Sequence, residues 1–103
     1  MTREEAAAGF SAMGSEARLS VLQMLIRAGE GGLTVSGLQD RTGMAPSTLA
    51  HHLKFLAGAD LIVQTKDGRT VINRADFDRL RGLADYILRE CCADVARKVA
   101  NDG

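Results

Sequence analysis

Two pairs of adjacent residues carry the distinctive chemistry of this 103-residue chain: Cys91 with Cys92, and His51 with His52. Thiolates are soft ligands that select thiophilic ions over hard ones, and the chain has no other cysteine. A structural disulfide between the two is disfavoured, because such bonds are rare in reducing compartments and adjacent residues need a strained backbone to form one. Three readings of the pair follow: a soft-ion site, a thiol that responds to oxidants, or packing alone, with Cys91 a small apolar residue and Cys92 exposed beside it. The histidines are constrained differently. Successive residues on a helix point about 100° apart, so His51 and His52 cannot share an ion on one helix face unaided.

The element that positions the histidines is a short helix over residues 44–56. Leu49, Leu53 and Leu56 share one stripe of it, and Ser47, Ala50, His51 and Lys54 share the opposite one. Pro46 suits the first helical position and leaves Ala45 as a weak N-cap. Hydroxyl, small and basic side chains together suit a surface that approaches base edges and phosphates closely. His51 lies on that surface, whereas His52 sits nearer the leucines and is expected to be a hydrogen-bonded structural residue. Unperturbed histidine titrates near neutrality, which allows a mild pH dependence of binding.

The flanking segments complete the pattern. Upstream, Thr34 is a suitable N-cap for a helix with Val35 and Leu38 as apolar contacts, and Gly43 ends it. Helix, glycine-containing turn and helix make a helix-turn-helix, whose second helix enters the major groove. Downstream, 61–66 and 69–73 are β-branched runs around Asp67 and Gly68, which predict a two-residue type I′ hairpin. Lys66 and Arg69 flank that turn, giving a wing with a basic tip. The expected fold is mainly α (α+β): a winged helix-turn-helix of about five helices with a two-stranded hairpin.

These stretches resemble the ArsR/SmtB family of bacterial winged-helix repressors. The resemblance runs through Phe-Ser-Ala-Met-Gly-Ser-Glu-Ala-Arg-Leu-Ser-Val-Leu-Gln-Met-Leu from Phe10, through Ser-Thr-Leu-Ala-His-His-Leu-Lys-Phe-Leu from Ser47, and through 58–63 with Lys-Asp-Gly-Arg from Lys66. It covers about residues 8 to 88. It implies a homodimer that binds double-stranded operator DNA and leaves it when a small inducer, often a metal or metalloid ion, binds. The implied DNA contacts are Ser47, Thr48, Ala50, His51, Lys54, Lys66 and Arg69.

The resemblance also bears on the cysteines. Paired cysteines on the last helix resemble the arsenic(III) or antimony(III) sites of some arsenic repressors, which use three thiolates where Cys91 and Cys92 supply two. The family's Cys-x-Cys site falls here on Thr34 and Ser36, and its zinc site needs histidines that the last helix lacks. An arsenic or antimony inducer, redox sensing and no inducer at all remain open as alternatives.

Composition sets the outer bounds. A length of 103 residues and 46% hydrophobic content suit one domain, 1–103, with its own core. The net charge is zero, yet residues 41–74 hold Arg41, Lys54, Lys66, Arg69 and Arg74 against Asp60 and Asp67. Such a local basic face gives salt-sensitive phosphate binding. Four aromatics and no Trp argue against a stacking platform for single strands. No apolar leader core or membrane-length apolar segment is evident, which predicts a cytoplasmic protein without membrane partners.

The remaining helices are expected at 3–13, from Ser15 to Arg27, and over about 75–99. Arg18 is expected either to bind phosphate or to form an intramolecular ion pair. Phe77, Leu80, Leu83, Ala84, Ile87, Leu88 and Cys91 make an apolar stripe too long for a small domain to cover. Ala6, Phe10 and Met13 make a similar one. Together, Ala6, Phe10, Met13, Phe77, Leu80, Ala84, Ile87 and Cys91 are read as a two-fold dimer interface of terminal helices. No phosphate loop, metalloprotease motif or nucleophile elbow occurs, so an enzyme is not expected. A winged helix used only for protein contacts is the rival from another class.

Overall fold

The computed structural model describes residues 1–95. Five helices and one hairpin follow in order: α1 (Arg3–Met13), α2 (Glu16–Ala28), α3 (Val35–Thr42), α4 (Pro46–Gly58), β1 (Ile62–Asp67), β2 (Thr70–Ala75) and α5 (Phe77–Leu88). A 3-10 turn at Gly29–Gly31 follows α2. Short polar side chains start four of the helices. Thr2, Ser15, Thr34 and Asp76 each accept a hydrogen bond from the backbone N–H three residues on. Such a cap is worth about 1 kcal/mol. Ala45 makes no such bond, and Pro46 opens α4 instead.

The core is mostly aliphatic. Leu49, Leu53 and Leu56 of α4 pack inward with Val21, Leu22 and Leu25 of α2, Leu38 of α3 and Leu61. Each buried leucine contributes roughly 1.5–3 kcal/mol, so the leucine stripe fixes which face of α4 is left outward. Between α3 and α4 the chain turns at Gly43, which is left-handed at φ 72° and ψ 2°. The Thr42 hydroxyl donates to Leu38 O and accepts from Met44 N, closing the turn.

The hairpin is antiparallel, with Asp67 opposite Thr70. Its two-residue loop is therefore Gly68 and Arg69, one residue later than the expected Asp67 and Gly68. Gly68 takes φ 63° and no other residue of the loop is left-handed. A glycine with positive φ in the first loop position is the type II′ arrangement, which spares Asp67 the positive φ that type I′ demands. Leu33 bridges to Asn73 and adds a third, minimal strand to the wing. Asn73 is fully buried, with Nδ2 donating to Leu33 O and Oδ1 accepting from Gln64 Nε2 at 2.8 Å. Gly32, at φ 66°, is required there, because a Cβ would stand 2.3 Å from Asn73 O.

The last helix departs from expectation. It ends at Leu88 and is followed by turns over 89–92, with Cys92 left-handed at φ 64°. Helical residues resume at 93–95, and the expected positions 96–99 lie outside the described residues. Ile87 and Leu88 are already 66% and 64% exposed, so the packing that sustains helices in proteins has ended there. Nearer its start α5 packs closely on α1, and Leu83 occupies the space beside Gly9, where a Cβ would lie 2.9 Å from Leu83 Cδ1. Arg79 of α5 pairs with Glu5 of α1 at 3.4 Å. Ala6, read as an interface residue, is instead 2% exposed and belongs to the chain's own core. Being small and set where α1 packs inward, it has no surface to offer a second molecule. Phe10, Met13, Phe77 and Leu80 pack partly on that core, while Ala84, Ile87 and Leu88 stay exposed.

Candidate nucleic-acid interface

With its leucines buried, α4 presents Ser47, Thr48, Ala50, His51 and Lys54 to the outside, all of them exposed. The N-cap Ala45 makes no side-chain bond to the first N–H groups of the helix, and such N–H groups favour anions. Beside α4 stands the wing. Lys66 near the end of β1 and Arg69 in the loop are exposed. Ala50 and Lys54 of α4 line one cleft together with Gln64, Lys66 and Val71 of the hairpin. The recognition-type helix and the basic strand therefore share a face, which is the juxtaposition a winged helix needs to touch base edges and phosphates together.

On its other flank Lys54 borders a second groove, between α4 and the α1–α2 pair. This one is lined by His51, Phe55 and Arg18 among others. His51 meets the Phe55 ring edge-on at 4.9 Å. Arg18 makes no ion pair among the described residues. Its Nε and Nη2 donate to Ala12 O and Ser11 O, the last carbonyls of α1, and its guanidinium lies 5.0 Å from the Phe55 centroid. Carbonyls at a helix C-terminus lack intrahelical partners and carry partial negative charge, and these out-compete the exposed Glu16. Arg74 is likewise engaged, donating to Glu30 O and Thr65 Oγ1. It adds to the local charge but braces the wing.

His52 is half-buried toward the leucines, as expected, but its Nδ1 is buried without a hydrogen-bond partner among the described residues. Burial first, then Arg18 and His51, hold its pKa below the usual 6.5. No group of the described residues reaches Nδ1, so the expected hydrogen bond is not made there. It stays neutral at pH 7, while His51 remains on the outward face.

Cys91 and Cys92 lie at the far end, in the turns after α5, and both are exposed. Because Cys92 is left-handed, the two side chains converge, with the sulfurs 3.4 Å apart. No group of three or more His, Cys, Asp or Glu residues suited to holding a metal ion occurs among the described residues. No helix among them is long and apolar enough to cross a membrane.

Sequence reasoning missed Phe55 and Asn73, and it named Arg18 without its actual partners. Phe55 shares its helix turn with His51 and Lys54, and an aromatic residue off the leucine stripe was the available clue. The bonds of Arg18 and Asn73 join segments that no local pattern connects.

A family model described as a helix-turn-helix domain matches residues 13–65, from the end of α1 into β1. Among solved structures, an ArsR-like transcriptional regulator from a Rhodococcus species is 28% identical, with a TM-score of 0.77 over 95% of this chain and 89% of that one. HlyU from Vibrio cholerae is 26% identical, with a TM-score of 0.69 over 89% and 99%. A homodimeric winged helix-turn-helix DNA-binding domain from Mycobacterium bovis, 24% identical, shares the fold with a TM-score of 0.66 over 85% and 82%. No curated protein matches the chain. The family model spans half the chain, and the fold shared with the ArsR-like regulator extends through the wing and α5: this chain belongs to the helix-turn-helix domain family and has the winged fold of ArsR-family transcriptional regulators.

Proposed function

We propose that the chain is a cytoplasmic, homodimeric repressor that binds operator DNA through α4 and the wing and is released by an inducer, arsenic(III) or antimony(III), held at Cys91 and Cys92. The observation that carries the DNA part is the common cleft of Lys54 and Lys66. In this reading α4 enters the major groove, Ser47, Thr48, Ala50 and His51 approach base edges or backbone, and Lys54, Lys66 and Arg69 neutralise phosphates.

Dimerisation is supported by the outer side of α5. Ala84, Ile87 and Leu88 continue the half-buried Leu80 at helical spacing and remain exposed in the isolated chain. An apolar stripe of this kind calls for a second surface. The Mycobacterium bovis domain that shares the fold is a homodimer, and two-fold pairing through terminal helices gives two recognition helices one helical turn of DNA apart.

The cysteine part rests on the 3.4 Å between the two sulfurs. That separation lets both reach one soft ion at metal–sulfur bonds of about 2.3 Å, as in zinc sites. A disulfide is the poorer use of the pair, since adjacent Cα atoms stand about 3.8 Å apart and unstrained bridges need at least about 4.4 Å. With no further cysteine in the chain, a third thiolate comes from the other protomer or from a small thiol.

The test is a mobility shift on the DNA upstream of the chain's own gene, under reducing conditions, with and without arsenite. Arsenite is expected to release the DNA from the natural chain and to have no effect on Cys91→Ser or Cys92→Ser. Release that persists in both serine variants overturns the cysteine site, and release by peroxide instead of arsenite assigns the pair to redox sensing.

A further inference from the structure

The groove between α4 and the α1–α2 pair has no part in the reading above beyond the side chains it borrows from α4. Its volume is about 480 Å³, within the roughly 300–1,000 Å³ of small-molecule sites. Its walls are largely apolar, with Ala12 and Ala59 beside Phe55, which is 48% exposed. Exposing a large aromatic ring costs hydrophobic free energy that a ligand recovers on covering it. The ionisable groups on the rim are Arg18, His51 and Lys54, with no carboxylate among the lining residues. Arg18 is held in place by its bonds from Nε and Nη2, leaving Nη1 without a partner among the described residues. A fixed guanidinium with a free N–H is a prepared donor for a carboxylate.

We propose that this groove binds an aromatic carboxylate, its ring against Phe55 and its carboxylate between Arg18 and Lys54, and that binding weakens the hold on DNA. An aromatic wall distinguishes this occupant from a bare phosphate of the duplex, which needs cations only. The coupling follows from shared residues. Lys54 cannot serve the ligand carboxylate and a DNA phosphate at once, and His51 borders the same groove. The ligand site stands on its own geometry, whereas the coupling rests on the proposed DNA face. This control is independent of Cys91 and Cys92 and acts at the recognition surface itself.

Calorimetric titration of the full chain with 2-naphthoate, in the absence of DNA, tests the site. Saturable one-site binding is expected, weakened at least about tenfold by Lys54→Gln, as for the loss of one charge-assisted hydrogen bond. Phe55→Ala is expected to weaken it similarly, with circular dichroism checking that both variants remain folded. Neutral 2-naphthamide and inorganic phosphate should each bind at least about tenfold more weakly, since each lacks one half of the recognition. No saturable binding, or binding equal in the natural chain and both folded variants, overturns the site. Adding 2-naphthoate to the DNA complex should then release DNA at the concentrations that fill the groove. A filled groove with DNA still bound overturns the coupling, while failure of the chain to bind DNA at all counts against the repressor reading and leaves the titration to judge the site.

Discussion

Arg18 joins three helices: rooted in α2, it donates to the last carbonyls of α1 and places its guanidinium 5.0 Å from the ring centroid of Phe55 on α4. The face of α4 that carries His51 and Lys54 is therefore braced by a cation whose Nε and Nη2 are already engaged. Arg18→Ala removes two hydrogen bonds by a charged donor and a cation–π contact, and is expected to cost about 1–3 kcal/mol of stability. Arg18→Lys should recover only part of this, because an ammonium cannot reproduce the fork. Denaturant unfolding of the two variants measures both effects.

Gly32 gives a backbone prediction. Gly32→Ala places a Cβ 2.3 Å from Asn73 O at φ 66°, and the oxygen can retreat only by loosening the Leu33–Asn73 bridge that anchors the wing. A loss of about 1–3 kcal/mol is expected. At roughly 4–8 °C per kcal/mol for a domain of this size, thermal melting will show it.

His52 sets a pH dependence. Its folded pKa lies below 6.5 through burial and the charges of Arg18 and His51, so below that pH the unfolded chain binds more protons than the folded one. Stability is therefore full above about pH 7 and falls as the pH drops through 6.5 toward the folded value. His52→Gln should flatten the unfolding free energy between about pH 7 and pH 5.5. A slope unchanged by the substitution would assign the effect to other groups.

The α5 stripe predicts assembly. Ile87→Asp puts a charge into the exposed apolar surface formed by Ala84, Ile87 and Leu88, and desolvating that charge opposes pairing. Sedimentation at micromolar concentration in reducing buffer should give a dimer for the natural chain and a monomer for the variant. A natural chain that sediments as a monomer would contradict the proposed interface.

The parts of this fold legible in the sequence are those set by local rules. Thr34, Gly43 and Pro46 mark the helix-turn-helix because capping, left-handed turning and N-terminal proline are properties of single residues. The leucine spacing of α4 gives its buried face for the same reason. The wing turn falls one residue beyond its expected place because Asp67 and Gly68 satisfy one hairpin rule while Gly68 and Arg69 satisfy another, and the register with Thr70 decides. The end of α5 is not legible, since 89–95 lacks glycine and proline and the helix stops where tertiary support stops. The convergence of Cys91 and Cys92 depends on one left-handed residue that is not glycine. The groove beside Phe55 is a property of three helices together, which no window of sequence contains.

The most direct measurement is the affinity for the DNA upstream of the chain's own gene as a function of salt, for the natural chain and for Lys54→Ala, Lys66→Ala and Arg69→Ala. The account predicts that each substitution weakens binding and lowers the steepness of the log–log salt dependence by about 1 for each phosphate no longer neutralised. Binding with the same affinity and the same salt dependence in all four proteins would contradict it and leave a winged helix that serves protein contacts.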